Sequence, residues 1–212
     1  MNKKELLAIA LILSSFALTA FFYDSLPQRI AIHWNAQGVA DGSGDKNFAA
    51  FITPVAALFA FLIFQAIPLL DPLKKNIEKF KGVFDEFKVV LVAFLLLVHL
   101  GTLAFNLGGA FDFKFIVIPG IAGLFFFTGR LMEKAKRNWF IGIRTPWTLS
   151  SDKVWDKTHK VAAKAFKTAS VLSLLSLFAG KNAVFFAIIP ITLAALVPFV
   201  YSYFEYQKEK NK

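Results

Sequence analysis

The apolar residues of this chain gather into six long blocks, and most of these blocks are apolar on every helical face rather than along one stripe. A helix that is hydrophobic all round belongs in a bilayer or a large core. Crossing about 30 Å of hydrocarbon takes roughly 20 such residues at a rise of about 1.5 Å each. The blocks run Leu6–Tyr23, Phe48–Leu70, Val89–Leu107, Phe115–Met132, about Val161–Ala179, and Ala183–Phe204. Pro54 and Pro68 mark the ends of the second, and His99 and Asn106 interrupt the third. The fifth is the shortest, with a clean apolar part only from Thr168 to Ala179. The pattern predicts an all-α, polytopic helical membrane protein with about six transmembrane helices. Lys3 and Lys4 before the first block resemble a signal peptide, but the run is long and no clear small-x-small cleavage site follows it before Asp24, which favours a retained helix.

Composition strengthens this reading. Apolar residues make up 57% of the 212 and charged residues only 18%, whereas a soluble fold carries about a quarter charged. The 26 phenylalanines exceed what an aqueous core of this size accommodates, but lipid-facing helices can hold them. The absence of cysteine excludes disulfides, thiolate metal sites and cysteine nucleophiles.

The net charge of +10 is informative through its distribution. With the N-terminus inside, only Arg29, Lys46, Lys114 and Lys181 of the 24 basic residues fall in outer segments. The positive-inside rule therefore predicts cytoplasmic N- and C-termini. The excess reports topology, with no direct nucleic-acid partner needed to account for it.

Three connections are long enough to carry more than a turn. The first outer loop, 24–47, is punctuated by Pro27, Gly38, Gly42 and Gly44, and His33, Asn35, Asp41 and Lys46 give it polar chemistry. It reads either as a small structured cap that meets an extracytoplasmic partner or as a solvated hairpin with an Asx-turn network. The inner loop 71–88 sets Ile77, Phe80, Val83, Phe84 and Phe87 at three- and four-residue steps, predicting a short helix along the membrane surface. In the inner loop 133–160, Trp139, Trp147 and Trp155 fall at eight-residue intervals. There Thr145-Pro146 breaks the backbone before a helix that Ser150 or Ser151 can cap. Lys153, Lys157, Lys160, Lys164 and Lys167 then form one basic stripe, suited to anionic lipid at the headgroup layer.

His99, at mid-membrane depth, is costly there and so a functional candidate, with a helix–helix tie as the structural alternative. Asn106 is the other intramembrane polar residue. No HExxH, GxSxG or phosphate-cradling motif is present, so the sequence predicts no enzyme, no cofactor and no metal.

The run Asn138-Trp139-Phe140-Ile141-Gly142-Ile143-Arg144-Thr145-Pro146-Trp147, with Trp155, Thr158 and His159, resembles the signature of the SdpI family of bacteriocin immunity proteins. The first loop, from Leu26-Pro27 through His33, Gly38, Asp41 and Lys46, resembles the small membrane domain of unknown function that commonly precedes it. The resemblance implies a two-helix module over 1–70 and an SdpI-like four-helix module over 71–212. It implies immunity to a secreted toxin peptide, met by the outer loop. It also implies a cytoplasmic motif that holds a transcriptional repressor, with Arg144 as the foremost residue because a guanidinium pairs bidentately with carboxylate or phosphate. A purely structural clamp is the alternative for that motif. A small transporter or lipid/peptide-handling protein, lined by His99 and Asn106, is the alternative function.

Overall fold

The computed structural model describes residues 2–211. Asn2 forms a reciprocal capping box, accepting from the Glu5 N–H and donating to its carboxylate, and starts α1 (Lys3–Phe22). A 3-10 turn leads to β1 (Arg29–Trp34) and β2 (Ala40–Asp45), an antiparallel hairpin that registers Arg29 against Asp45 and Trp34 against Ala40. Then come α2 (Lys46–Ala49), α3 (Ile52–Leu70), α4 (Lys74–Glu78), α5 (Lys81–Asn106) and α6 (Lys114–Lys134). Beyond an extended loop lie α7 (Pro146–Ser150), α8 (Asp152–Leu175) and α9 (Ala183–Lys210).

Five continuous helical segments are long and apolar enough to cross a membrane. The last of them, spanning 152–210, folds back at Gly180, whose φ of +60° suits glycine. Three contacts show α8 and α9 running antiparallel: Ser173 Oγ donates to the Ala187 carbonyl (3.1 Å), Lys157 pairs with Glu205, and Ser151 Oγ donates to Glu209 (2.8 Å). Among the described residues six long helices result, in agreement with the six apolar blocks.

Helices α1, α3 and α5 pack around Ala8, Ile12, Ala57, Phe61 and Val92. The larger core joins α6, α8 and α9 through Leu131, Met132, Trp155, Phe166 and Ala194. The face expected to lie along the membrane surface instead turns inward. Ile77, Phe80 and Phe84 are at most 3% exposed and pack in this core, because the loop after α6 supplies Ala135 and Ile141, and α8 supplies Trp155, as partners. Helix α5 accordingly begins at Lys81, eight residues ahead of the apolar block.

That early start is held by charge. Asp85 and Lys88, each 3% exposed, lie 2.8 Å apart, Lys81 reaches Asp85 at 2.9 Å, Asn2 donates to Asp85 at 2.7 Å, and Lys88 donates to Gln65 at 2.5 Å. These contacts tie α1, α3 and α5 at the end of the bundle that holds both termini. A buried charge persists only when paired and hydrogen-bonded, and each member here is.

Candidate functional site

At the opposite end of the bundle, the hairpin lies over the helices and borders a half-open cavity of about 280 Å³. Ile32, His33, Trp34, Asn35 and Gly38 line it from the hairpin, Thr53 from α3, Val98 and Thr102 from α5, Phe113, Lys114 and Val117 from the start of α6, and Val184 from α9. The hairpin is fixed from both sides. Asn106, at the last turn of α5, accepts from the Ala31 N–H (2.8 Å) and donates to the Ala31 carbonyl (3.1 Å), so one carboxamide substitutes for a strand neighbour. Trp34 stacks face to face on Phe113 at 3.8 Å and 5°, and stands perpendicular to Phe105 at 5.2 Å.

The hairpin tip is shaped by Asn35, whose side-chain oxygen accepts from the N–H groups of Gln37 (3.0 Å) and Val39 (3.1 Å). Gly38 follows at φ +80°, packed so closely on Asp112 that a Cβ would overlap the carboxylate. Polar groups gather at this mouth: His33 lies 2.5 Å from Asp41, and Lys114 lies 2.5 Å from Asp112. The Trp34 indole N–H is buried with no hydrogen-bond partner among the described residues. An apolar cavity rimmed by a few convergent polar groups has the character of a ligand pocket.

Four of the five predicted outer-loop residues meet at this site; Lys46 does not. It is 7% exposed, donates to the Leu26 carbonyl (3.1 Å) and sits 4.5 Å over the Tyr23 ring, where it holds the base of the hairpin. His99 lies 2.9 Å from Thr19 Oγ1 and joins α5 to α1. His99 and Asn106 are therefore both engaged in ties between elements.

The predicted inner motif forms a hydrogen-bonded clasp at the termini end. Asn138 is fully buried, and each of its amide groups has two partners within the loop. Asp71 accepts from the Trp139 N–H (2.9 Å) and Asn76 donates to the Arg137 carbonyl (2.8 Å), fastening the loop to the α3–α5 connection. Thr145 and Thr148 cap α7 reciprocally, with Pro146 at its first position, and Thr145 Oγ1 lies 3.0 Å from Ser202 of α9. Trp155 donates to the Ala135 carbonyl (2.9 Å), while Trp147 packs edge-on against Phe199 and Tyr203. Of the two candidate caps for α8, Ser151 is the one used.

His159 completes the clasp. Its ring stacks on Trp155 at 4.0 Å, Nδ1 donates to the Trp155 carbonyl (2.9 Å), and Nε2 accepts from the Ile143 N–H (3.1 Å). Gly142, at φ +115°, leaves room for the ring where any Cβ would overlap it. One nitrogen donating and the other accepting is the bonding of a neutral imidazole. Burial of this ring, which lies before the fifth apolar block, pushes its pKa down from 6.5 to about 4. The unfolded chain therefore binds a proton that the folded chain refuses. The His159 contribution is whole above pH 6.5 and is lost as the pH falls toward 4, by up to about 1.4 kcal/mol per pH unit. Thermal unfolding in detergent at pH 7 and pH 4.5 checks this: His159→Phe is expected to narrow the wild-type difference, and an unchanged difference refutes it.

Arg144 stands apart. It is exposed, and its one hydrogen bond among the described residues is from Nη1 to the Trp139 carbonyl at 2.7 Å. Most of the guanidinium donors thus face outward beside Trp139, which is 52% exposed. Thr158 is buried with its hydroxyl unpartnered among the described residues. Sequence reasoning missed Asp71, which anchors the clasp, and Val98, Thr102 and Phe113, which wall the cavity; apolar residues within a span give no local signal of which face meets protein.

This architecture defines a multi-pass helical membrane protein with a hairpin cap at one end and a clasped loop at the other. Residues 134–202 match the SdpI/YfhL protein family, and residues 10–58 match a domain of unknown function, DUF1648. The resemblance read from residues 138–159 and from the first loop therefore stands, and the chain is a multi-pass cell-membrane protein. It is 28% identical over 207 residues to the "Immunity protein SdpI" of Bacillus subtilis (strain 168), covering 97% of each chain. No solved structure matches it. The two matched segments divide the sites: 10–58 contains the hairpin, and 134–202 contains the clasp with α8 and most of α9.

Proposed function

We propose that this chain is a membrane immunity protein that acts by binding, not catalysis, with its hairpin end outside the cell and both termini in the cytoplasm. The observation that carries the reading is the end-to-end similarity to a protein named for immunity, in a chain whose hairpin closes over an apolar pocket. A secreted antimicrobial peptide meets the hairpin, enters beside His33 and Trp34, and is kept from the bilayer. The four-to-twenty split of basic residues between hairpin-side and termini-side segments supports this orientation. The chain is organised as a module over 1–70 that contributes the hairpin and a module over 71–212 that contributes the clasp.

The clasp relays occupancy to a cytoplasmic partner, a transcriptional repressor on this reading. Support comes from Arg144, whose free donors and exposed neighbour Trp139 offer a charged and an aromatic contact together. The test is expression in cells sensitive to a secreted antimicrobial peptide. Wild type is expected to raise survival, His33→Ala to lower it, and Arg144→Ala to keep protection while releasing the repressor from the membrane fraction. Survival equal to empty vector at matched membrane abundance would sink the immunity reading for that toxin.

A further inference from the structure

Two cavities on the outward face of α8 meet at a single lysine. The first, about 300 Å³, lies between α6 and α8 and is lined by Glu133, Lys160, Ala163, Lys164 and Lys167. The second, about 390 Å³, is an apolar furrow between α8 and α9, with Ala165, Ala169 and Leu172 on one wall and Pro190, Leu193 and Val197 on the other. Lys164 belongs to both. The small side chains of Ala165 and Ala169 keep the furrow open.

The charges in the first cavity are not equivalent. Glu133 and Lys167 satisfy each other at 2.6 Å. Lys160 and Lys164 are exposed one turn apart and make no ion pair among the described residues. The cavity therefore presents two uncompensated cations. From Lys164 to Leu172 the furrow follows eight residues of helix, about 12 Å at 1.5 Å per residue. One leaflet contributes roughly 15 Å of hydrocarbon, so the furrow spans most of it. Lys160 lies just before the fifth apolar block and Lys164 just inside it, where a long side chain reaches the headgroup layer.

A pair of free cations leading into an apolar furrow one leaflet deep is complementary, in charge and in length, to one molecule with an anion at its end and a chain behind it. We infer that this is a binding site for a single anionic phospholipid of the leaflet nearest the termini. Its phosphate lies between Lys160 and Lys164, and one acyl chain lies between α8 and α9. The stripe read along α8 is thus divided by its neighbours. Lys157 is taken by Glu205 and Lys167 by Glu133, and the two lysines left between them form the headgroup site.

Native mass spectrometry of the full chain, released from micelles doped with phosphatidylglycerol or phosphatidylcholine of identical chains, tests the assignment. One retained phosphatidylglycerol is expected, in preference to phosphatidylcholine. Each neutralised lysine is expected to weaken that preference roughly fivefold. The double variant Lys160→Gln/Lys164→Gln loses the preference, while Lys74→Gln/Lys75→Gln, an equal loss of charge elsewhere, keeps it. Ala165→Phe, which blocks the furrow and leaves both cations, lowers retention of either lipid; should it fail to fold, the charge variants decide alone. Glycerol phosphate, carrying the anion without a chain, is expected not to displace the lipid, and displacement would show a plain anion site instead. Equal retention of the two lipids, retention unaffected by the double variant, or a lipid-independent dimer covering the furrow would each overturn the proposal.

Discussion

Replacing Asn138 with leucine is expected to cost the folded protein about 4 kcal/mol, enough to remove a large part of a typical domain's stability. Leucine keeps the branching and the number of side-chain heavy atoms, so the loss is chiefly one of hydrogen bonding, with some crowding from its bulkier methyl groups. The Asn138 carboxamide oxygen accepts from the N–H groups of Phe140 (2.9 Å) and Ile141 (2.6 Å), and its nitrogen donates to the carbonyls of Lys136 (2.8 Å) and Ile141 (2.9 Å). That fills the donor and acceptor capacity of the amide. Asn138 has no exposed surface, and leucine leaves the Ile141 N–H and carbonyl, whose bonds to it are buried, without partners, each at about 1–3 kcal/mol before relaxation. The Lys136 and Phe140 groups lie nearer water. Asn138→Asp keeps the acceptor pair but loses the donor pair and buries a charge, so it is expected to fall between leucine and wild type only at low pH. Thermal unfolding followed by tryptophan fluorescence is the readout, since Trp155 is buried beside this loop. A shift equivalent to less than about 1 kcal/mol for Asn138→Leu would mean that the loop re-forms its turns without the side chain.

How far the sequence reveals this molecule depends on which solvent each segment faces. The six long helices were legible because oil obliges a spanning segment to satisfy its own backbone. The clasp was half legible. Asn138, Gly142, Thr145, Trp155 and His159 stood out as a motif; the structure ties the side chains of Asn138, Thr145, Trp155 and His159 to backbone groups at 3.2 Å or less, and Gly142 makes room for the His159 ring. Asp71, 68 residues away from the Trp139 that it holds, gave no signal of its role. The helix read along the membrane surface went inward for a related reason. Periodicity identifies an apolar face but not what covers it, and here Ile141 and Trp155 do so.

The hairpin shows the same limit at the other end. β1 carries Ile30 and Ile32 at alternate positions, but β2 is Ala-Asp-Gly-Ser-Gly-Asp, with no β-branched or aromatic residue to mark a strand. It forms because β1 supplies the partner, because Asn35 and Gly38 set the tip, and because Asn106 holds Ala31 from below. The cavity walls were the least legible. In water an inward face differs from an outward one by polarity, whereas inside a bilayer Val98 and Val117 would read identically on either face. Only the three-dimensional arrangement separates a pocket lining from a lipid contact.

Plugging that cavity gives the largest functional effect expected of a single substitution that leaves the fold intact. Thr102 is 8% exposed, its hydroxyl donates back to the Val98 carbonyl of its own helix (2.9 Å), and its side chain forms part of the pocket wall. Thr102→Phe therefore removes no bond between elements and projects an aromatic ring into about 280 Å³ of space beneath the hairpin. A bulky side chain directed into an existing void avoids most of the strain of overpacking, which arises in cores already filled. On the proposed function, the variant reaches the membrane at wild-type abundance, unfolds at a similar temperature, and loses protection by about tenfold or more in inhibitory toxin concentration, equivalent to about 1.4 kcal/mol or more of lost binding. Asn106→Ala is the informative companion, because it frees the hairpin without filling the pocket. It is expected to weaken protection and to make the hairpin more accessible to protease, whereas Thr102→Phe leaves the hairpin closed. Full protection by a stable Thr102→Phe protein would place toxin recognition elsewhere on the outer face, and the pocket would then hold no part of the immunity mechanism.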